Sequence, residues 1–474
     1  MKPFMRLSRP VLFAASLLAA FPAAAQINDG KPDPTIAVPA ALDLPYALGF
    51  ALDNNFSIRQ AKERIRQQEG IVVEVRSAQI PNVTAAAGYN RNAVEIGSNG
   101  LDHNWSVDIT ARQVLFAGGG VAANVKSQQL ALDAAVLALR AVLNDALLDV
   151  RTRFYTVLVN RERIKVQEQN IELLQRQLQD VKNRFEAGTV SNFEVLRSEV
   201  ALANAQPALI TARNDYRLAI EELRRALGFV NANDQNVTKL PEFIGTLEFT
   251  PASFDPQGAA GATAEQNRDL VRTALITAHE QRPDLRRLVR LQESAEQGVT
   301  VRRANYLPGV SAYAAYDWRM NSIGSGSLSN ARDGWTVGLQ STWNVFDGRA
   351  TAGRVAQARS LLEQARLSVA EAQLIVDVDV RRAVSLYQQA VELAASSKKV
   401  IEQAEESVRL ANARFSAGTA TQLDVLTAQT DLTTARLNQL QAYYSYNVGV
   451  ANVRRAMGLA DELTPTGELP WPPK

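Results

Sequence analysis

The longest run in this chain without a glycine or a proline is Val121 to Ala187, 67 residues. Helices in globular domains usually end after three or four turns. A run of this length therefore confines the chain to architectures built on very long helices. At the helical rise it spans roughly 100 Å. Ile164, Ile171, Leu178 and Phe185 recur every seven residues near its end, with Leu174 and Val181 as the alternate seam. That spacing predicts a partner helix and a left-handed supercoil. The run stops at Gly188, inside Arg184-Phe185-Glu186-Ala187-Gly188-Thr189.

A return helix is expected over 190–228. Val195, Leu202, Leu209, Tyr216 and Leu223 supply its matching seam, and Pro207 is expected to kink it. Ahead of the long helix (120–187), residues 44–80 read as helix, ended by Pro81. The period then changes. Trp105, Val107, Ile109 and Ala111 alternate with Ser106, Asp108, Thr110 and Arg112, which predicts a strand with one apolar and one polar face. The weaker run Val83 to Ile96 is its partner, across the turn Gly97-Ser98-Asn99-Gly100. This hairpin, 82–116, leads through Gly118-Gly119-Gly120 into the long helix.

Much of this recurs 230 residues later. Residues 414–458 align with 184–228 without a gap, and fifteen of the 45 positions are identical. Arg354 to Ala417 is a second run without glycine or proline. Val310, Ala312, Ala314, Tyr316, Trp318 and Met320 alternate strictly, as do Trp335, Val337, Leu339, Ser341, Trp343 and Val345. Two repeats are therefore expected, 44–228 and 265–458. The second comprises a helix, a hairpin (309–346), a long helix (350–417) and a return helix (421–457). Residues 229–264 carry no periodicity and join the halves. A Pro-rich tail, 459–474, follows.

Lys2, Arg6 and Arg9 precede an apolar run from Val11 to Phe21 and then Ala23-Ala24-Ala25. This predicts a secretory signal peptide over 1–25, followed by an extended Pro- and Ala-rich segment, 26–43. Removing those three charges takes the formal net charge from +2 to −1, so no polyanion partner is implied. The chain contains no cysteine, which excludes disulfides and a lipid anchor on cysteine.

Four strands cannot close a barrel within one chain, since the smallest membrane barrels have eight. An open sheet in lipid leaves backbone groups unpaired at several kcal/mol each. The hairpins must either stay in water or close by oligomerising. Tyr89, Trp105, Tyr316, Trp318, Trp335 and Trp343 suit the aromatic girdles of a barrel.

These residues carry a resemblance. The duplicated turn, Arg184-Phe185 to Thr189 and Arg414-Phe415 to Thr419, each followed by Val-Leu, resembles the TolC family of outer-membrane efflux and secretion ducts. So do the Leu115-Phe116 and Val345-Phe346-Asp347-Gly348 exits from the hairpins and the segment Ala278 to Leu288. The resemblance implies a mainly α homotrimer with β hairpins. Its twelve-strand outer-membrane β-barrel would continue into a twelve-helix periplasmic α-barrel. It implies docking by a periplasmic adaptor and an inner-membrane RND or ABC-type transporter, and a tip that opens like an iris. Gly188, Thr189, Gly418 and Thr419 would form the adaptor-docking turns. Asp424 matches an acidic gate position, and Glu194 is its counterpart in the first repeat. Thr427 stands where a second gate carboxylate is expected, and Phe415 lacks the hydroxyl of a gate-linking tyrosine. Three Asp424 carboxylates near an axis would raise one another's apparent pKa and favour cations at the mouth.

No catalytic constellation is visible, and no cofactor or metal is expected. His103 and His279 have no partners at metal or triad spacing. The triple glycine lacks the Lys-Ser/Thr of a phosphate loop. The arginine pairs at 224–225, 286–287, 302–303 and 454–455 read as solvated helix faces or ion pairs, and nothing marks nucleic-acid binding. The competing reading is a periplasmic coiled-coil adaptor or structural protein without a membrane barrel. A secreted enzyme and a plain diffusion porin fit less well.

Overall fold

A computed structural model describes residues 41–91, 101–229, 242–250, 252, 254, 263–323 and 331–459. All of them belong to one compact unit, Pro39–Phe229 with Leu240–Lys474. The expected signal peptide, the turn Gly97 to Gly100, most of the joining segment 229–264, and residues 460–474 of the tail lie outside the described residues.

Residues 44–80 form two helices rather than one. Helix α1 (Leu44–Asn54) and helix α2 (Phe56–Arg76) meet at Asn55, and a 3-10 turn, Ser77–Gln79, precedes Pro81. The Asn55 side chain accepts from the backbone N–H groups of Ser57 (2.9 Å) and Ile58 (3.3 Å). An asparagine cap competes with the continuing helix and wins here. Its amide also donates to the Ala226 carbonyl at 2.7 Å, which ties the corner to a distant helix end.

Strands β2 (Asn82–Arg91), β3 (Leu101–Ala117), β5 (Gly309–Ile323) and β6 (Ala331–Thr342) form one antiparallel sheet in the order β2-β3-β5-β6. A short parallel pair, β1 (Ala41–Leu42) with β4 (Glu242–Phe243), stands apart from it. In the large sheet the register stacks like on like. Ala87, Val107, Trp318 and Asp333 lie in one row, and Ala85, Ile109, Tyr316 and Trp335 in the next. Next to the first row, on the opposite face, come Ala86, Asp108, Asp317 and Gly334. One face is apolar and the other polar across all four strands. Two polar residues interrupt the apolar face, Gln113 in the row of Ala312 and Leu339 and Asp333, which accepts the Tyr316 hydroxyl at 3.0 Å. The alternation read through Val345, in the hairpin expected over 309–346, outlasts the strand, which ends at Thr342. Trp343 leaves the sheet and donates its indole N–H to the Tyr306 carbonyl at 3.1 Å.

The helices are α3 (Gly120–Glu186), α4 (Asn192–Leu227), α5 (Ala264–Gln281), α6 (Pro283–Arg303), α7 (Ala350–Ser416) and α8 (Gln422–Ala456). α3 and α7 each contain 67 residues. α4 runs on through Pro207. Among the described residues, no helix is long and apolar enough to cross a membrane. Near the sheet the helices neighbour one another in the order α2-α3-α6-α7, and toward the helical turns in the order α4-α3-α8-α7.

Each long helix is most deeply buried near its middle. Leu147, Val150, Phe154 and Leu158 of α3 pack with Leu48 of α1, Ile220 and Leu223 of α4, and Phe243. Val376, Val380, Val384 and Tyr387 of α7 pack with Ala274 and Ala278 of α5 and Tyr446 and Val453 of α8. Each fully buried aliphatic or aromatic side chain contributes about 1.5–3 kcal/mol. The corner between α5 and α6 presses so closely on Gly458 that a Cβ there would lie 2.7 Å from the Arg282 backbone.

Candidate functional site: the paired helical turns

The turn joining α3 to α4 and the turn joining α7 to α8 are built alike. α3 and α7 both end in an alanine cap followed by a glycine at φ 72°. The N–H of Gly188 donates to Phe185 and that of Thr189 to Arg184, each at 2.9 Å. Gly418 donates to Phe415 at 3.1 Å and Thr419 to Arg414 at 2.9 Å. This six-to-one and five-to-two pattern satisfies carbonyls that a helix end leaves open. The threonine hydroxyls add a second bond to the same carbonyls, at 2.9 and 3.1 Å. A Cβ on either glycine meets no atom within 4 Å. The positive φ alone therefore demands glycine. Gly418→Ala is expected to destabilise the turn by about 1–2 kcal/mol, and Gly418→Asn by less, because asparagine tolerates that conformation. Amide hydrogen exchange at Thr419 would read the difference, and equal protection in all three proteins would refute it.

The two turns are fastened to one another. Gln422, at the first position of α8, is 2% exposed. In the orientation that satisfies its amide, its nitrogen donates to Glu194 Oε2 at 2.7 Å and its oxygen accepts from the Ser198 hydroxyl. The Arg184 guanidinium lies over the Phe415 ring, 4.7 Å from its centroid. Higher up, Thr433 donates to Asn170 Oδ1 and Arg436 to Gln169 Oε1, both at 3.2 Å. These links between the two hairpins are polar, whereas the heptad seams within each hairpin are apolar.

Asp424 forms a capping box with Thr421. Its Oδ2 accepts from the Thr421 N–H at 2.7 Å, and its own N–H donates to the Thr421 hydroxyl at 3.3 Å. The backbone hydrogen bond from Thr421, then its hydroxyl, then the Arg414 charge hold the carboxyl below the ordinary value. Within one protomer this shift runs opposite to the rise expected from three crowded copies. Thr427 turns its hydroxyl into its own helix, onto the Leu423 carbonyl at 2.9 Å. Glu194 also lies 3.5 Å from Arg197. Glu194, Phe415 and the two turns thus meet in one cluster, while Asp424 and Thr427 engage their own helix.

Sequence reasoning missed Arg184, Ser198 and Gln422. A polar residue in the first turn of a helix reads as solvated, and nothing in the periodicity marks its burial against a neighbour. Elsewhere, His279 pairs with Asp377 at 2.8 Å, across 98 residues of sequence. His103 lies on β3. Among the described residues, no group of three or more histidine, cysteine or acidic side chains is placed to hold a metal ion.

Residues 47–229 and 274–459 match the family model described as outer membrane efflux protein. Protein CyaE of Bordetella pertussis is 26% identical over 351 residues, covering 72% of this chain and 70% of CyaE. Outer membrane efflux protein BepC of Brucella suis is 23% identical over 426 residues, covering 89% and 86%. Among solved structures, that of CusC, a protein that forms a transmembrane channel, superposes with a TM-score of 0.73. The match covers 90% of this chain and 96% of CusC at 16% identity, so it speaks for the fold alone.

Proposed function

The chain belongs to the outer membrane efflux protein family, and we propose that three copies of it close into a single exit duct. The protein is an outer-membrane transport channel. In the finer reading, the four-stranded sheets of three protomers form a twelve-strand barrel, and the helices continue it as a twelve-helix tube through the periplasm. The two repeats, 44–228 and 265–458, each supply one hairpin and one helix pair. A periplasmic adaptor docks at the turns Gly188-Thr189 and Gly418-Thr419, and an inner-membrane RND or ABC-type transporter feeds the duct. Efflux and type I secretion both use such an assembly.

The observation that carries this reading is the pair of open flanks. Among the described residues, no strand pairs with the outer edge of β2 or of β6, and the apolar sheet face is exposed, Trp335 to 78%. An exposed apolar edge of this kind invites another strand. α4 and α7, at the two ends of the lower helix order, also carry uncovered apolar stripes. On α7 these are Leu386, Leu393 and Val400, spaced by seven, and on α4 they are Phe193, Leu196 and Val200. Strand edges and helix stripes call for the same occupant, a neighbouring copy on either side. The polar face, where Asp108 stands opposite Asp317, then lines water.

Detergent-extracted protein is expected to have the mass of three chains and to conduct ions in planar bilayers. A water-soluble monomer would sink the proposal. Asp424→Asn keeps an acceptor for the capping box and removes the charge. It should weaken cation selectivity or divalent block if Asp424 lies at the constriction. Unchanged conductance, selectivity and block would place Asp424 away from it.

A further inference from the structure

We propose that the polar face of the sheet, where it gives way to the helices, holds a pocket for a small aromatic monoanion among the duct's cargo, with Arg112 as the anion-binding group. The inference rests on the duct reading, in which this face lines the lumen, and it names a class of cargo. The pocket has a volume of about 560 Å³, within the range of small-molecule sites. It spans all four strands, from Thr84 of β2 through Thr110 and Arg112 of β3 and Tyr313 of β5 to Gln340 of β6. Ile80, just after the 3-10 turn, closes its helical end. Among the described residues that line it, Arg112 alone is charged.

Two side chains lie along the sheet and make this room. Tyr313 stands opposite Gly338, where a Cβ would come within 2.8 Å of the tyrosine oxygen and 2.9 Å of the ring. The missing side chain therefore lets the ring lie over β6 instead of standing into the lumen. Arg112 is opposite Tyr313, yet its guanidinium reaches two strands across and donates to Gln340 Oε1. An amide oxygen holds the guanidinium without neutralising it. No carboxylate is within ion-pair reach of Arg112 among the described residues. Asp108 and Asp317, paired on the same face, lie four residues along their strands, roughly 13 Å away. Val114, 38% exposed, and Ile80, 62% exposed, face the same space as the Tyr313 ring. The pocket thus sets apolar and aromatic walls around one uncompensated cation with N–H donors to spare. A carboxylate or sulfonate meets the guanidinium through charge-assisted hydrogen bonds, and its ring covers the walls. An inorganic anion gains nothing from those walls, and a cationic amphiphile is repelled by Arg112.

The test reconstitutes the full-length protein in planar bilayers and titrates the block of its current with 1-naphthoate, acetate and 1-naphthylmethylammonium. Naphthoate should block at a lower concentration than acetate, which lacks the ring, and than the ammonium, which has the wrong sign. Arg112→Gln keeps a donor for Gln340 and should raise the half-blocking concentration of naphthoate roughly fivefold, the upper range for one exposed ion pair. Arg112→Lys keeps the charge and should stay within about twofold of the parent, again on the scale of one exposed pair. Tyr313→Leu should weaken the block with no change of charge, and it reads the same pocket if Arg112→Gln does not insert. Arg319→Gln is the control. Arg319 lies on the same face, opposite Ser106, six residues of β3 from Arg112 or roughly 20 Å, and its loss should leave the block unchanged. Equal block by the three probes would overturn the inference. So would an unchanged block in Arg112→Gln, or equal losses in Arg112→Gln and Arg319→Gln, which would mark a general effect of lumen charge. Conducting channels that ignore naphthoate defeat this inference alone, and non-conducting protein defeats the duct reading.

Discussion

Val107→Arg is expected to abolish stable insertion into the outer membrane, whereas Thr110→Arg is tolerated. Val107 lies near the middle of β3, between Ala87 and Trp318, on the apolar face. Thr110 lies three residues along the same strand, opposite Thr84 and Ala315 on the polar face. An arginine facing lipid at mid-depth costs about 2–4 kcal/mol. In a closed trimer that cost is incurred three times, which is comparable to the whole stability of many folded proteins, about 5–15 kcal/mol. An arginine facing a water-filled lumen stays hydrated and costs little. The measurement is the amount of each variant that resists extraction from membranes by high salt. If both variants behave alike, the apolar face does not meet lipid, and the alternative of a hairpin held in water gains.

Arg282→Met is expected to loosen the corner between α5 and α6. Arg282 is 4% exposed at the corner between α5 and α6. It is bound to Asp284 at 2.6 Å and to Asp379 of α7 at 3.4 Å. Its backbone presses on Gly458 at the end of α8. Removing the cation leaves two carboxylates without their partner, and because both are partly exposed, at 42% and 32%, water offsets part of the loss, which is about 1–3 kcal/mol. Arg286→Met, one turn along on the exposed side of α6, should change stability by no more than about 0.5 kcal/mol. Adding Asp284→Asn and Asp379→Asn to Arg282→Met should restore part of the loss, because the cost lies in the uncompensated charge. Thermal unfolding of the four proteins decides. Equal midpoints for Arg282→Met and Arg286→Met would refute the argument.

The same knot sets a pH dependence. Burial alone would raise the Asp284 carboxyl. The Arg282 hydrogen bonds and charge, with the Leu285 and Asp284 backbone N–H groups, more than offset that and hold it below the ordinary value. A depressed carboxyl contributes stability that is fully present above the unfolded value of about 4. That contribution is lost as pH falls through the lower folded value. Asp284→Asn should therefore flatten the acid side of the stability profile and leave its slope near neutrality unchanged.

The long helices were legible because helix breakers are a local signal. The runs Val121 to Ala187 and Arg354 to Ala417 lie within one residue of the ends of α3 and α7, or inside them. Alternation likewise gave the two faces of β3 and β5, since side chains on a strand point to opposite sides by geometry. The break at Asn55 was not legible. An asparagine within a helical pattern looks the same in sequence whether it is solvated or caps a new helix, and its bond to Ala226 depends on a segment 171 residues away. The glycines of the two turns could be read from their duplicated context. The Gln422–Glu194–Ser198 cluster and the Arg184–Phe415 contact could not, because a repeat in sequence does not say which side chains of its two copies meet in space.

By itself, the sequence determined the chain's periods: helices too long for a globular domain, strands with one greasy side, and the same plan written twice. Those follow from backbone geometry and the spacing of apolar residues, which operate within a few residues of each other. The tertiary structure decided which strand and which helix each element lies beside, and therefore which flanks remain open for neighbouring copies. Those outcomes turn on contacts between residues hundreds of positions apart, where no local pattern can choose the partner.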